Sequence, residues 1–168
     1  MPLAVGVALG QKLISPRLLA AGVAACIVPD LDVIGYELGV SYGSIYAHRG
    51  FTHSLGFAAL LATIGLCFSK ALHTGRLTAF IFLFVATASH GVLDAFTNGG
   101  SGIALLWPFS TERYFAPIQV IEVSPISLSR FLSSRGAQVL RSEAFWVWLP
   151  CLLLALSIGL LRRAGRRS

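Results

Sequence analysis

The stretch HSLGFAALLATIGLCFSKAL, residues 53–72, decides how this chain is read. Its single histidine opens it, its single lysine sits near the end, and the rest is apolar, small or hydroxyl-bearing. A helix needs about 20 such residues to cross a hydrocarbon core. Two further segments, Leu77–Phe96 and Ala144–Leu161, have comparable length and character. A fourth element is broken: Leu3–Ile14, then SPR at 15–17, then Leu18–Val28. Pro16 splits it, because proline lacks a backbone donor and clashes with the preceding turn. The second half alone is short, so it spans by tilting or by borrowing the first half. Backbone polar groups in lipid must be satisfied within the segment, so all of these are expected to be helices. The expected fold is an all-α, polytopic membrane helix bundle, a single domain over 1–168. It has about four membrane elements and a short interfacial helix.

Composition agrees. Apolar residues make up 55% of the chain and charged residues 12%, against roughly 25% charged in an ordinary soluble domain. The net charge of +6 raises nucleic acid as a partner. The basic residues are scattered or terminal and form no basic-aromatic patch, so no nucleic-acid role is expected. The bilayer is the expected partner, and nothing in the composition specifies an oligomeric state. Cys26, Cys67 and Cys151 lie in apolar runs without paired spacing and read as buried packing residues. VAAC at 23–26 is shaped like a lipoprotein cleavage box. The apolar run before it is short for a signal segment, so the first segment is expected to be retained.

Basic residues also set the orientation. RRAGRR at 162–167 favours a cytoplasmic C-terminus. Alternating spans then put Lys12, Arg17, Lys70 and Arg76 on the same side. Eight basic residues lie inside and five outside (Arg49, Arg113, Arg130, Arg135, Arg141). Residues 98–143 form the least hydrophobic region, where Trp107, Phe109, Tyr114 and Phe115 read as interfacial aromatics. Within it, Ser124 as N-cap and Pro125 at the first helical position predict a short surface helix over 124–143.

This layout brings three polar clusters to one membrane face, expected to be the non-cytoplasmic one. PDLD (29–32) ends an outward-running helix, HRGFTHS (48–54) opens the next inward one, and SHGVLD (89–94) ends the next outward one. His90 and Asp94 are four apart, on one helical face. Asp30 and Asp32 flank one residue after a proline, where extended backbone is expected. The chain has three aspartates and four histidines, and six of these seven fall in the three clusters. Polar groups near a membrane span are costly and usually functional. Asp30, Asp32, His48, His53, His90 and Asp94 are therefore the candidate metal ligands. His73, at the other face, reads as an ordinary interfacial histidine. Mixed N/O ligation suits a divalent transition metal, zinc first, with manganese or iron as alternatives. One ion with carboxylates to spare, or two ions, both fit.

PDLD, HRGFTHS, SHGVLDAFTNGG and WPFS, in that order over about residues 20–110, resemble the signature blocks of the LexA-regulated, membrane-bound metal-dependent hydrolase family. The resemblance implies a small multi-helix protein of the bacterial inner membrane with hydrolase activity. By position it also implies the same six metal-binding residues. The match weakens after residue 115, which leaves Glu122 without an assigned role.

The expected activity is hydrolysis of an ester or phosphoester in an amphiphilic, lipid-like substrate by metal-activated water. Asp32 or Asp94 would take the proton. Arg49 would bind an anionic group, or else snorkel at the interface. Thr52 is a candidate helix cap, and Ser89, Thr97 and Asn98 are candidates for supporting hydrogen bonds. No serine-nucleophile elbow and no phosphate-cradling glycine loop are expected. The rival expectations are a metal carrier or sensor, and a structural membrane protein whose metal only pins helices.

Overall fold

The computed structural model describes residues 1–164, so the last residues of the basic tail, 165–167, lie outside the described part. Among the described residues the regular elements are all helices, with no strand and only two isolated bridges, Thr97 with Ile121 and Ile103 with Tyr114. Three helices among them are long and apolar enough to cross a membrane: Pro16–Glu37, Arg76–Ala95 and Ser134–Arg162.

The broken first element is two helices, α1 (Pro2–Leu9) and α2 (Pro16–Ile27). Pro16 starts α2 rather than merely ending α1, and the Ser15 side chain caps it by accepting from the Leu18 N–H at 3.1 Å. The expectation that α2 must tilt or borrow α1 needs correcting. The chain stays helical past Val28, through a 3-10 segment (Val28–Val33) and α3 (Ile34–Glu37), for a run of 22 residues. Asp30 and Asp32 therefore sit on a tight helical turn and not on extended backbone. Pro29 lies at the start of the 3-10 segment, and the helical run continues past it.

The stretch 53–72 is also shorter as a helix than expected. It has a 3-10 turn (Phe51–His53), then α4 (Leu55–Cys67), 13 residues or about 20 Å. Ser54 caps α4 by accepting from the Phe57 N–H at 3.0 Å, so Thr52 is not the cap. Next comes α5 (Arg76–Ala95), close to the expected span.

The surface helix expected over 124–143 is not a separate element. A single turn, α6 (Leu128–Phe131), starts after Ser127. A longer helix, α7 (Ser134–Glu143), is capped by Ser133 and runs through a π-helical turn (Ala144–Trp148) into α8 (Leu149–Ala164). Ser124 caps nothing here. This serine-rich stretch offers several hydroxyls as caps, and packing selects among them: Gly136 lies against the Phe131 carbonyl, leaving no room for a Cβ.

The core is where α2, α4 and α5 meet, around Ile14, Leu18, Ala25, Ala62, Ala79, Phe82 and Leu83. Small residues let the helices approach closely. A Cβ on Gly22 would lie 2.4 Å from the Phe82 ring, and one on Gly65 would lie 2.2 Å from Leu83. Without a hydrophobic driving force in lipid, such contact is what holds membrane helices together. All three cysteines are free, but their burial departs from expectation: Cys26 and Cys151 are half-buried and Cys67 is exposed. An apolar run does not reveal which of its faces meets lipid.

Candidate metal centre

The three polar clusters converge at one end of the α2–α4–α5 core. Asp30, His53, His90 and Asp94 each offer a ligand atom within 4.8 Å of the others, and Asp32, His48 and His53 form a second group sharing His53. In the first group, His90 Nε2 is 3.1 Å from Asp30 Oδ1 and 3.7 Å from Asp94 Oδ2. His53 Nε2 is 3.5 Å from Asp30 Oδ1 and 3.4 Å from Asp94 Oδ2. The 3-10 geometry of 28–33 brings Asp30 here, and the α-helical rise brings His90 and Asp94. Gly91 lets α5 approach the 3-10 turn, since a Cβ there would lie 2.1 Å from the His53 carbonyl oxygen.

His53 tests whether a metal fits. Its side chain is 0% exposed, and Nε2 is the one buried side-chain N or O atom without a hydrogen-bond partner among the described residues. Its other nitrogen is held. The Thr52 hydroxyl donates to Asp32 Oδ2 at 2.5 Å, so the Thr52 oxygen accepts from His53 Nδ1 at 3.1 Å. Asp32 Oδ2 also lies 3.3 Å from Nδ1. The proton therefore sits on Nδ1, and the Nε2 lone pair faces three more ligand atoms. Metal–ligand bonds of about 2.0 Å in a tetrahedron put ligand atoms about 3.3 Å apart. The observed 3.1–3.7 Å spacings fit such a shell, and two imidazoles with two carboxylates suit zinc, manganese or iron.

Asp32 is placed differently from Asp30. Its side chain is 3% exposed, and it accepts from His48 Nδ1 at 2.8 Å as well as from Thr52. Arg49 does not snorkel. It is 4% exposed, with a left-handed backbone (φ 67°) that turns the guanidinium inward. Nη1 donates to Thr97 Oγ1 and the Gly99 carbonyl, both at 2.7 Å, and Nε is 3.7 Å from Asp94 Oδ2. A non-glycine residue in that region stores strain, which is common at functional sites.

Of the supporting candidates, Thr97 receives Arg49. Asn98 instead holds the Val123 N–H at 3.0 Å, and Ser89 donates to the Ala86 carbonyl of its own helix. His73 lies at the other end, 3.1 Å from Arg17 Nη1. Glu122 pairs with Arg135 at 2.6 Å, and Asn98 and that guanidinium hold its carboxyl below the usual range.

A cavity of about 440 Å³ opens beside the cluster. Asp30, His90, Asp94 and Arg49 line its polar side, and Leu93, Phe131, Val147 and Trp148 much of its apolar side. Two residues not proposed for the site from the sequence belong to its surroundings. Glu143 reaches the cavity from the last long helix. Arg113, outside the cavity, donates to the Arg49 carbonyl at 3.0 Å and the Ser44 carbonyl at 2.7 Å, fixing the loop that carries Arg49. A serine-elbow spacing does occur, GVSYG at 39–43. It follows a helix instead of joining a strand to one, and Ser41 is exposed, so the reason for setting that chemistry aside is structural.

An all-helical membrane protein carrying a histidine–aspartate cluster able to hold a metal is the class these observations define. The chain belongs to the YdjM inner membrane protein family, matched over residues 1–166. It is 46% identical over 155 residues to the inner membrane protein YbcI of Escherichia coli K12, covering 92% of this chain and 90% of that one. It is 33% identical over 113 residues to the uncharacterized protein YvsG of Bacillus subtilis 168, covering 61% and 64% respectively. No solved structure matches the chain.

Proposed function

We propose that this protein is a membrane-embedded metal-dependent hydrolase acting on an ester or phosphoester of an amphiphilic substrate, at the non-cytoplasmic face of the membrane. The fully buried His53 Nε2, which finds no hydrogen-bond partner among the described residues, carries the reading. Asp30, His53, His90 and Asp94 would hold the ion. Bound there, a divalent metal supplies a Lewis acid and lowers the pKa of attacking water. Asp32 orients His53 and His48 in the manner of a carboxylate behind a metal-bound imidazole. Arg49 anchors the anionic group of the substrate by charge-assisted hydrogen bonds. The cavity favours catalysis over a purely structural ion, because three of the four ligand residues border open space. Its apolar side suits an acyl or prenyl chain.

The test is metal analysis of the detergent-purified protein with a hydrolysis screen of nitrophenyl phosphoesters, nitrophenyl carboxylic esters and lipid phosphoesters. Turnover that chelation abolishes and metal restores is expected. A metal-loaded protein inert to the whole screen would reject the reading.

Asp32→Asn tests the supporting role. The carboxylate accepts from two side-chain donors, His48 and Thr52, and faces a third at His53. An amide offers one oxygen and presents N–H groups to a donor. Metal affinity should fall about 10–100-fold with the helices intact. Unchanged affinity would count against Asp32 as the orienting group.

Topology is checked separately. A reporter at the C-terminus should read as cytoplasmic and one inserted near residue 111 as external. The same side for both would remove the assignment of the site to the outer face.

A further inference from the structure

Resting on the hydrolase reading, the geometry points to Glu143 as the group that accepts the proton of the attacking water. Every aspartate is engaged elsewhere: Asp30 and Asp94 belong to the four-residue group, and Asp32 is held by His48 and Thr52. Of the glutamates, Glu122 is paired with Arg135. Glu143 is half-buried, lines the same cavity as Asp30, His90 and Asp94, and has no ion pair or side-chain hydrogen bond among the described residues. It lies in the third membrane-length helix, where an unpaired carboxylate is costly and usually functional. The π-helical turn begins at the next residue, Ala144, and such turns are frequent at functional sites.

The step balances with water alone. The water oxygen bonds to phosphorus or the acyl carbon, its O–H bond breaks, and the proton passes to a Glu143 carboxylate oxygen. The ester bond to the leaving alcohol breaks, and the departing alkoxide recovers the proton from Glu143. Water is consumed, and an acid and an alcohol leave.

Glu143→Gln in the full-length, metal-loaded protein is the test, with nitrophenyl phosphoesters as probes. It should keep the wild-type metal content and a similar KM, while kcat falls about 100–10,000-fold. The acidic limb of the pH–kcat profile should vanish with it. A second measurement does not need turnover. Glu143 should be modified by a water-soluble carbodiimide, read from the mass of its peptide, and inorganic phosphate should slow that modification. Turnover within about threefold of wild type overturns the assignment, as does loss of metal in step with loss of activity. Labelling indifferent to phosphate does the same. If the wild type hydrolyses nothing, the hydrolase reading fails and this inference with it. If the wild type and Glu143→Gln are equally active, only the inference falls.

Discussion

Metal addition is expected to raise the thermal midpoint of the chelated wild-type protein and to leave that of His53→Ala unmoved. A ligand that binds the folded state stabilises it by about 2.7 kcal/mol at a hundred times its dissociation constant. In His53→Ala the buried Nε2 is gone, and the three remaining groups must hold the ion without their most enclosed member. Affinity should drop by more than about 100-fold, beyond what loss of a supporting residue causes. Without metal the same substitution has an opposing benefit, since it removes a buried nitrogen that finds no partner. The variant's deficit should therefore be larger with metal than without it. His73→Ala is the control, lying with Arg17 at the far end, and should respond to metal as wild type does. An equal metal-induced shift in His53→Ala would remove the site from this cluster.

Gly91→Ala is expected to damage the site without touching any ligand. A methyl group there would sit 2.1 Å from the His53 carbonyl oxygen, which is backbone and cannot rotate away. Either α5, carrying His90 and Asp94, or the turn carrying His53 must retreat. The two halves of the cluster then separate. A shell of ligand spacings near 3.5 Å tolerates little such movement. Metal affinity should fall about 10–100-fold, and overpacking should cost about 1–3 kcal/mol of stability. Gly159→Ala is the matched control, because nothing lies within 4 Å of the added carbon. That change should be neutral or stabilising by up to about 1 kcal/mol. Wild-type metal content in Gly91→Ala would show that the approach of α5 to the His53 turn does not set the geometry.

Much of the fold was legible in the chain. Hydrocarbon thickness fixes how long a spanning segment must be, so the α5 span was readable almost to the residue. Helix ends were not. Ser54 rather than Thr52 caps α4, and Ser127 and Ser133 rather than Ser124 open the helices after the long loop. Several hydroxyls compete for each cap, and only packing decides among them. The continuation of α2 through the 3-10 segment was hidden for a related reason. Pro29 allows extended or helical backbone, and its neighbours chose the latter.

The sequence by itself determined the chemistry of the cluster. Three aspartates and three histidines stand in three short blocks at the ends of apolar segments, and alternating spans carry the blocks to one end. That follows from local composition and the cost of polar groups in lipid. The tertiary structure alone decided how the six divide. It left His53 Nε2 without a hydrogen-bond partner among the described residues, enclosed Asp32 in donors, turned Arg49 inward through a left-handed backbone, and brought Glu143 to the cavity from a distant helix. Which atom of a side chain is free depends on which neighbours pack against it, and those neighbours, like Asp30 and Glu143 at one cavity, come from distant parts of the chain.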